Sequence, residues 1–163
     1  INPFMTNTTD SGGFCMKGFI VYKKTFSTRF SEWFTIFLTG GMLYYFAEIA
    51  FRHYSHFSMI ICGGLATLLC GGLNQVFRKM SVVTQMVVSS LVVTELEFLT
   101  GYIVNIKLNY GVWDYSELPL NLMGQICLPY SVLWMFVALL IMYVDDNIRC
   151  NLFSEEKPIY RLL

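Results

Sequence analysis

Four apolar stretches, residues 33–51, 57–77, 82–104 and 125–144, dominate this 163-residue chain. A helix needs about 20 such residues to cross the roughly 30 Å hydrocarbon core of a bilayer. No water reaches that core, so each backbone amide must be satisfied within its own segment, and helices are the default. The connections fall at residues 52–56, 78–81 and 105–124. Composition agrees: 13% of residues are charged, against about 25% in soluble domains. The mean hydropathy is +0.54. The apolar residues come in blocks rather than in an amphipathic rhythm, which argues against a soluble core. The expected fold is all-α: a polytopic membrane protein with a four-helix transmembrane bundle and an outer interfacial loop. Residues 1–30 read as a basic cytoplasmic segment, 31–146 as the membrane domain and 147–163 as a cytoplasmic tail.

The basic residues set the expected orientation, since cytoplasmic loops carry an excess of Lys and Arg. Four crossings put both termini and the second connection on one side. That side holds Lys17, Lys23, Lys24, Arg29, Arg78, Lys79, Arg149, Lys157 and Arg161; the other holds only Arg52 and Lys107. The bias of nine against two predicts cytoplasmic termini and a multi-pass protein of the cell membrane. The basic run at 16–26 is followed by no small-x-small cleavage site, so an uncleaved first span is expected rather than a removed signal.

Net charge is zero and no basic cluster is large, which argues against nucleic acid as a partner. The five cysteines are scattered with no CxxC pair, so reduced thiols packed as small hydrophobes are expected, with no zinc site. No Walker lysine loop, GxSxG or GxGxxG occurs. No cofactor is implied, and any ATP hydrolysis would need a separate subunit.

Ionisable groups inside a bilayer cost about 2.5–3.5 kcal/mol on insertion scales and must face a partner or a cavity. Tyr44, Glu48, Arg52 and His56 are spaced by four and would share a stripe if the first helix continued past Phe51. Glu48 and Arg52 read as a structural ion pair or as a proton relay or substrate site. A metal held by Glu48, His53 and His56 is disfavoured. Glu97, Gly101 and Asn105 form a second stripe of spacing four. Glu97 is expected to point inward and Glu95 to make an interhelical contact. Cys62, Gly63, Gly64, Ala66, Thr67, Cys70, Gly71 and Gly72 ladder the second stretch with small residues and predict a central, closely approached helix. Asn74 would bond a neighbour or line a path.

The outer connection carries the run VWDYSELPLNLMGQIC at 112–127. Its aromatic residues suit the headgroup boundary. Asp114 and Glu117 have capping-box spacing, Asn121 stands where it would cap the fourth helix, and Pro129 would bend that helix. The run reads either as an interfacial cap or as an outward-facing site using Asp114 and Asn121. In both cases residues 113–121 are expected to fold back near Arg52 and His56, with Asp114 contacting Arg52, His56 or the amides of residues 115–117 and Trp113 at the lipid edge.

That run, with GYIVN at 101–105 and YYFAEIAFRHYSHFSM at 44–59, resembles the bacterial family of small integral membrane proteins labelled ABC-transporter type IV permeases (CmpB-like). The resemblance covers about residues 35–144. It runs through Trp113-Asp114-Tyr115-Ser116, Pro119, Asn121 and Gly124 to Cys127, and through Arg52, Ser55, His56, Ser58, Met59, Gly63-Gly64 and Asn74. The family pattern has glycine after the arginine, where this chain has His53. The resemblance implies a multispanning protein and a transporter part.

Three functional readings follow. The first is a transporter or permease subunit, with Glu48, Glu97, Asn74 and Asn105 lining a polar route. Four helices leave little room for a solute, so it would work as a homo-oligomer or with a partner subunit such as an ATPase, among membrane lipids. The second is an intramembrane enzyme on a lipid-linked substrate, with His56, Asp114 and Glu48 converging at the outer face. The third is a structural subunit of a membrane complex. Enzymatic activity is the less favoured expectation.

Overall fold

The computed structural model describes residues 26–77, 80–156, 158 and 160–162, without the side chain of Asn74. Helix α1 spans Phe26–Arg52, α2 Ser58–Gly71, α3 Leu73–Val76, α4 Val82–Gly101 and α5 Leu128–Phe153. Helix α4 runs on as a π-helical segment, Tyr102–Lys107. Between that segment and α5 lies an outer loop with a small antiparallel hairpin, β1 (Asn121–Leu122) and β2 (Ile126–Cys127). Its register pairs Asn121 with Cys127 and Leu122 with Ile126.

Among the described residues, three helices are long and apolar enough to cross a membrane: Phe26–Arg52, Val82–Lys107 and Leu128–Phe153. The second expected span is divided. Helix α2 has 14 residues, about 21 Å at 1.5 Å per residue, and α3 adds one more turn beyond Gly72. Paired glycines weaken a helix there, and Gly71 is small for a reason: a Cβ on it would strike the carboxyl of Asp145.

The helix ends sort into two groups. At one end Glu32 of α1 meets Arg149 of α5, Gly71 of α2 abuts Asp145, and the Val82 amide donates to the Arg161 carbonyl at 2.7 Å. At the other end Met59, Val104, Val112 and Trp113 form a buried cluster. A second cluster, Ala66, Cys70, Val93 and Trp134, lies between α2, α4 and α5. Large apolar side chains such as Phe30, Phe46, Leu91 and Leu140 stay exposed on the outside, as lipid-facing residues do.

Helix α2 is central, packing on α1, α4 and α5. The small residues let it approach α1 closely. A Cβ on Gly63 would meet Tyr44, one on Gly64 would meet Phe37, and one on Gly40 would meet Thr67. Cys62, Cys70 and Cys127 are free and buried; Cys150 departs from the expectation of reduced thiols, being disulfide-bonded.

Local chemistry explains the other boundaries. Ser81 caps α4 by accepting the Thr84 amide at 3.2 Å. Helix α5 starts at Leu128, so Pro129 occupies its first turn, where the missing N–H costs nothing; it does not bend the helix from within as expected. Asn121 does not cap α5 either. It sits on β1, and the N-cap position is Cys127, without a side-chain bond.

Candidate functional site

The site grows from the stripe on α4. Glu97 and Gly101 are buried, and Asn105 is half-buried one turn further on. Glu97 accepts two bonds, from the Tyr115 hydroxyl at 3.0 Å and from the Trp134 indole N–H at 3.0 Å. Burial first, and then the charge of Glu97, holds the Tyr115 phenol above its ordinary range, so it stays a donor. Tyr115 also stacks on Tyr130, with centroids 4.6 Å apart. Gly101 is the flat spot below this: a Cβ there would meet Gln125 and Trp113.

Asn105 ties the outer loop down. Its amide donates to the Trp113 carbonyl at 3.0 Å and to Gln125 Oε1 at 2.8 Å, and its oxygen accepts the Val112 amide at 2.7 Å. Trp113 Nε1 donates to the Gln125 carbonyl at 3.0 Å.

At the end of α1, Arg52 donates to Glu48 at 2.9 Å and to the Val112 carbonyl at 2.5 Å. Ser55 donates to the other oxygen of Glu48 at 2.7 Å. The expected ion pair is formed. The expected stripe is not complete, because α1 ends at Arg52 and His53 turns the chain with φ +57°. His56 therefore lies off the helix, within 2.9 Å of the Ser58 hydroxyl and against the Tyr110 ring.

The loop docks on Arg52 and His56 through Val112 and Tyr110, just before the 113–121 segment expected to make the contact, and Trp113 is buried rather than at the lipid edge. Asp114 is exposed and accepts the Ser116 amide at 2.9 Å and the Ser116 hydroxyl. The hydroxyl and then the amide hold its carboxyl below the ordinary range. Asn121 bonds within the loop, to the Ser116 and Leu118 carbonyls at 3.1 and 2.8 Å. Glu95 is exposed, which corrects the expected interhelical contact: an offset of two residues turns it about 200° from Glu97. Asn74 stands on α3, and its side chain lies outside the described ones.

Glu97 forms part of the wall of a cavity of about 350 Å³ between α1, α2, α4 and α5. Apart from Thr67 the other walls are apolar or aromatic, with Tyr44 and Trp134 side by side, ring centroids 5.9 Å apart. Leu43, Ala47 and Leu140 line it while exposed, so the mouth opens sideways, between α1 and α5.

Sequence reasoning missed the partners of Glu97 and a second charged centre. Arg149 is bonded to Asp145 at 2.7 Å and to Glu32, with Glu155 at 3.9 Å. Nearby, the Tyr160 hydroxyl donates to Asp146. Glu32, Asp145, Asp146 and Arg149 are all buried. The spacing of four between Asp145 and Arg149 was the one available signal. A cavity of about 590 Å³ adjoins this centre, lined by Arg29, Glu32, Gln75 and Arg149 among others.

Helices long and apolar enough to cross a membrane fit a multi-pass helical membrane protein. The model of the family described as "Putative ABC-transporter type IV" matches residues 13–160, and the chain belongs to that family. No solved structure matches it at a significant level.

Proposed function

We propose that this chain is the membrane subunit of a transporter and that a separate subunit supplies ATP hydrolysis. The cavity beside Glu97 carries the reading: it is large enough for a small ligand, mostly apolar, with few polar groups, as ligand sites are. Family membership agrees with it, and so does a sequence without a nucleotide-binding lysine loop. The enzyme reading is weaker. Glu48, His56 and Asp114 each bond their own neighbours, Arg52, Ser58 and Ser116, rather than one another.

All four apolar segments cross the bilayer in this reading, with both termini in the cytoplasm of a bacterial cell. Helices α2 and α3 together cover residues 58–76, about 28 Å of helix, and start and finish at opposite ends of the bundle. The remaining mismatch is small enough for local thinning. The cavity beside Glu97 opens to the side of the bundle, and in this reading a second copy or partner subunit completes the path.

Purification of the tagged chain from its host in gentle detergent tests this. An ATPase that co-elutes in fixed ratio is the expected result. A chain that elutes with no ATPase, from membranes where the protein is abundant, overturns it.

A further inference from the structure

We propose that the cavity beside Glu97 binds a lipophilic organic cation, an apolar body carrying one diffuse positive charge, that enters sideways from the bilayer. This rests on the transport reading and names its substrate class.

Charge gives the first argument. Glu97 is 5% exposed and lies within the membrane-spanning stretch Val82–Lys107. Its bonds come from two neutral donors, Tyr115 and Trp134, and among the described residues no Lys or Arg pairs with it. A carboxylate has about four acceptor positions, so two bonds leave capacity for a ligand. Buried charges are normally paired; here the cavity beside the carboxylate leaves the place of the cation open to a ligand.

The walls give the second. Thr67 spends its hydroxyl on the Gly63 carbonyl at 2.8 Å, so Glu97 dominates the polar character of the site. Tyr44 and Trp134 stand beside it. Aromatic faces attract a diffuse cation, Trp most strongly. A metal ion would want several oxygen ligands, and an anionic amphiphile would be repelled by Glu97.

The mouth gives the third. Leu43, Ala47 and Leu140 face outward between α1 and α5, on a surface of exposed apolar side chains. A solute already dissolved in the hydrocarbon meets this entrance; a strongly hydrated one does not.

The test uses the 163-residue chain in uncharged detergent, with tetraphenylphosphonium and tetraphenylborate, ions of matched shape and opposite charge. Saturable binding of the phosphonium, followed by equilibrium dialysis, is expected, with none of the borate. Glu97→Gln should weaken it about ten-fold or more, the scale of losing one partner of a buried charge pair. Leu140→Trp at the exposed mouth should weaken it too, with unchanged elution on size exclusion. Equal binding of the two ions, no saturable binding of the phosphonium, or an unaltered folded Glu97→Gln variant overturns the proposal. If Glu97→Gln does not fold, the ion pair and the Leu140 variant still decide. Cation binding without a co-eluting ATPase leaves this inference standing and removes the ATP-linked reading. The reverse result removes this inference alone.

Discussion

Arg149 at the end of α5 donates to Glu32 at the start of α1, across 117 positions of the chain. Both are buried, and Asp145 shares the same guanidinium. Removing Arg149 takes its guanidinium away from two buried carboxylates. Arg149→Gln should therefore cost about 3–5 kcal/mol, as breaking buried pairs does. Arg149→Lys should recover only part of that, because a point charge cannot reproduce the two-sided fork. Thermal midpoints in detergent decide it; a Gln variant as stable as the parent would show that the pair contributes nothing.

Arg52 has two duties and Glu48 has one anion to share. Glu48→Gln leaves Arg52 on the Val112 carbonyl and more than a third exposed, at 37%. Arg52→Gln removes the loop contact and leaves a carboxylate that is only 10% exposed. The arginine change should be worse, by about 1–3 kcal/mol, the cost of an unsatisfied buried group. It should also speed proteolysis of the outer loop. Equal losses from the two variants would contradict the assigned contacts.

Much of this was legible in the sequence, for a physical reason. Length and hydropathy report directly on bilayer thickness, so three spans were readable. Spacing of four reports directly on a helix face, so Glu97, Gly101 and Asn105, and the pair Glu48 and Arg52, could be read together. The partners of Glu97 could not. Tyr115 and Trp134 lie 18 and 37 positions away, and only packing brings them together. Nor could the length of α2 be read, because Gly72 belongs to the apolar stretch yet interrupts the helix. Asn121 misled because its short side chain serves a hairpin as well as a helix cap.

The α1–α2 contact predicts sharp size limits. The Cβ of Gly64→Ala would press on Phe37, its backbone oxygen included. One added methyl in so close a crossing should cost about 1–3 kcal/mol. Gly111→Ala meets no atom, its cost being confined to a φ of +57°, and separates crowding from backbone strain. Urea or thermal unfolding of both variants gives the comparison, and an unaffected Gly64→Ala protein would mean that the helices can part.

His53 occupies a left-handed position, φ +57°, where the resembling family pattern has glycine. His53→Gly should be tolerated and gain up to about 1 kcal/mol, less what glycine loses through its freer unfolded chain. His53→Val should lose more than that, since a β-branched residue is an outlier at positive φ. If valine is as stable as glycine, α1 does not end in this conformation.

Asp114 supplies the last prediction, a pH dependence. Its carboxyl is held below the ordinary range by the Ser116 hydroxyl and amide. The folded protein thus binds this proton less readily than the unfolded chain. Stability from this turn is fully present above the unfolded value and fades as pH falls through the folded one. The turn should hold across neutral and mildly acid pH and weaken only under strongly acid conditions. Asp114→Asn keeps an acceptor oxygen for Ser116 but cannot titrate. The difference between parent and variant thermal midpoints, followed as pH is lowered, isolates this group from the other carboxylates. The parent should lead at neutral pH, and its advantage should vanish at the acid end. Parallel curves over the whole range would show that the Asp114 charge does not hold the outer loop.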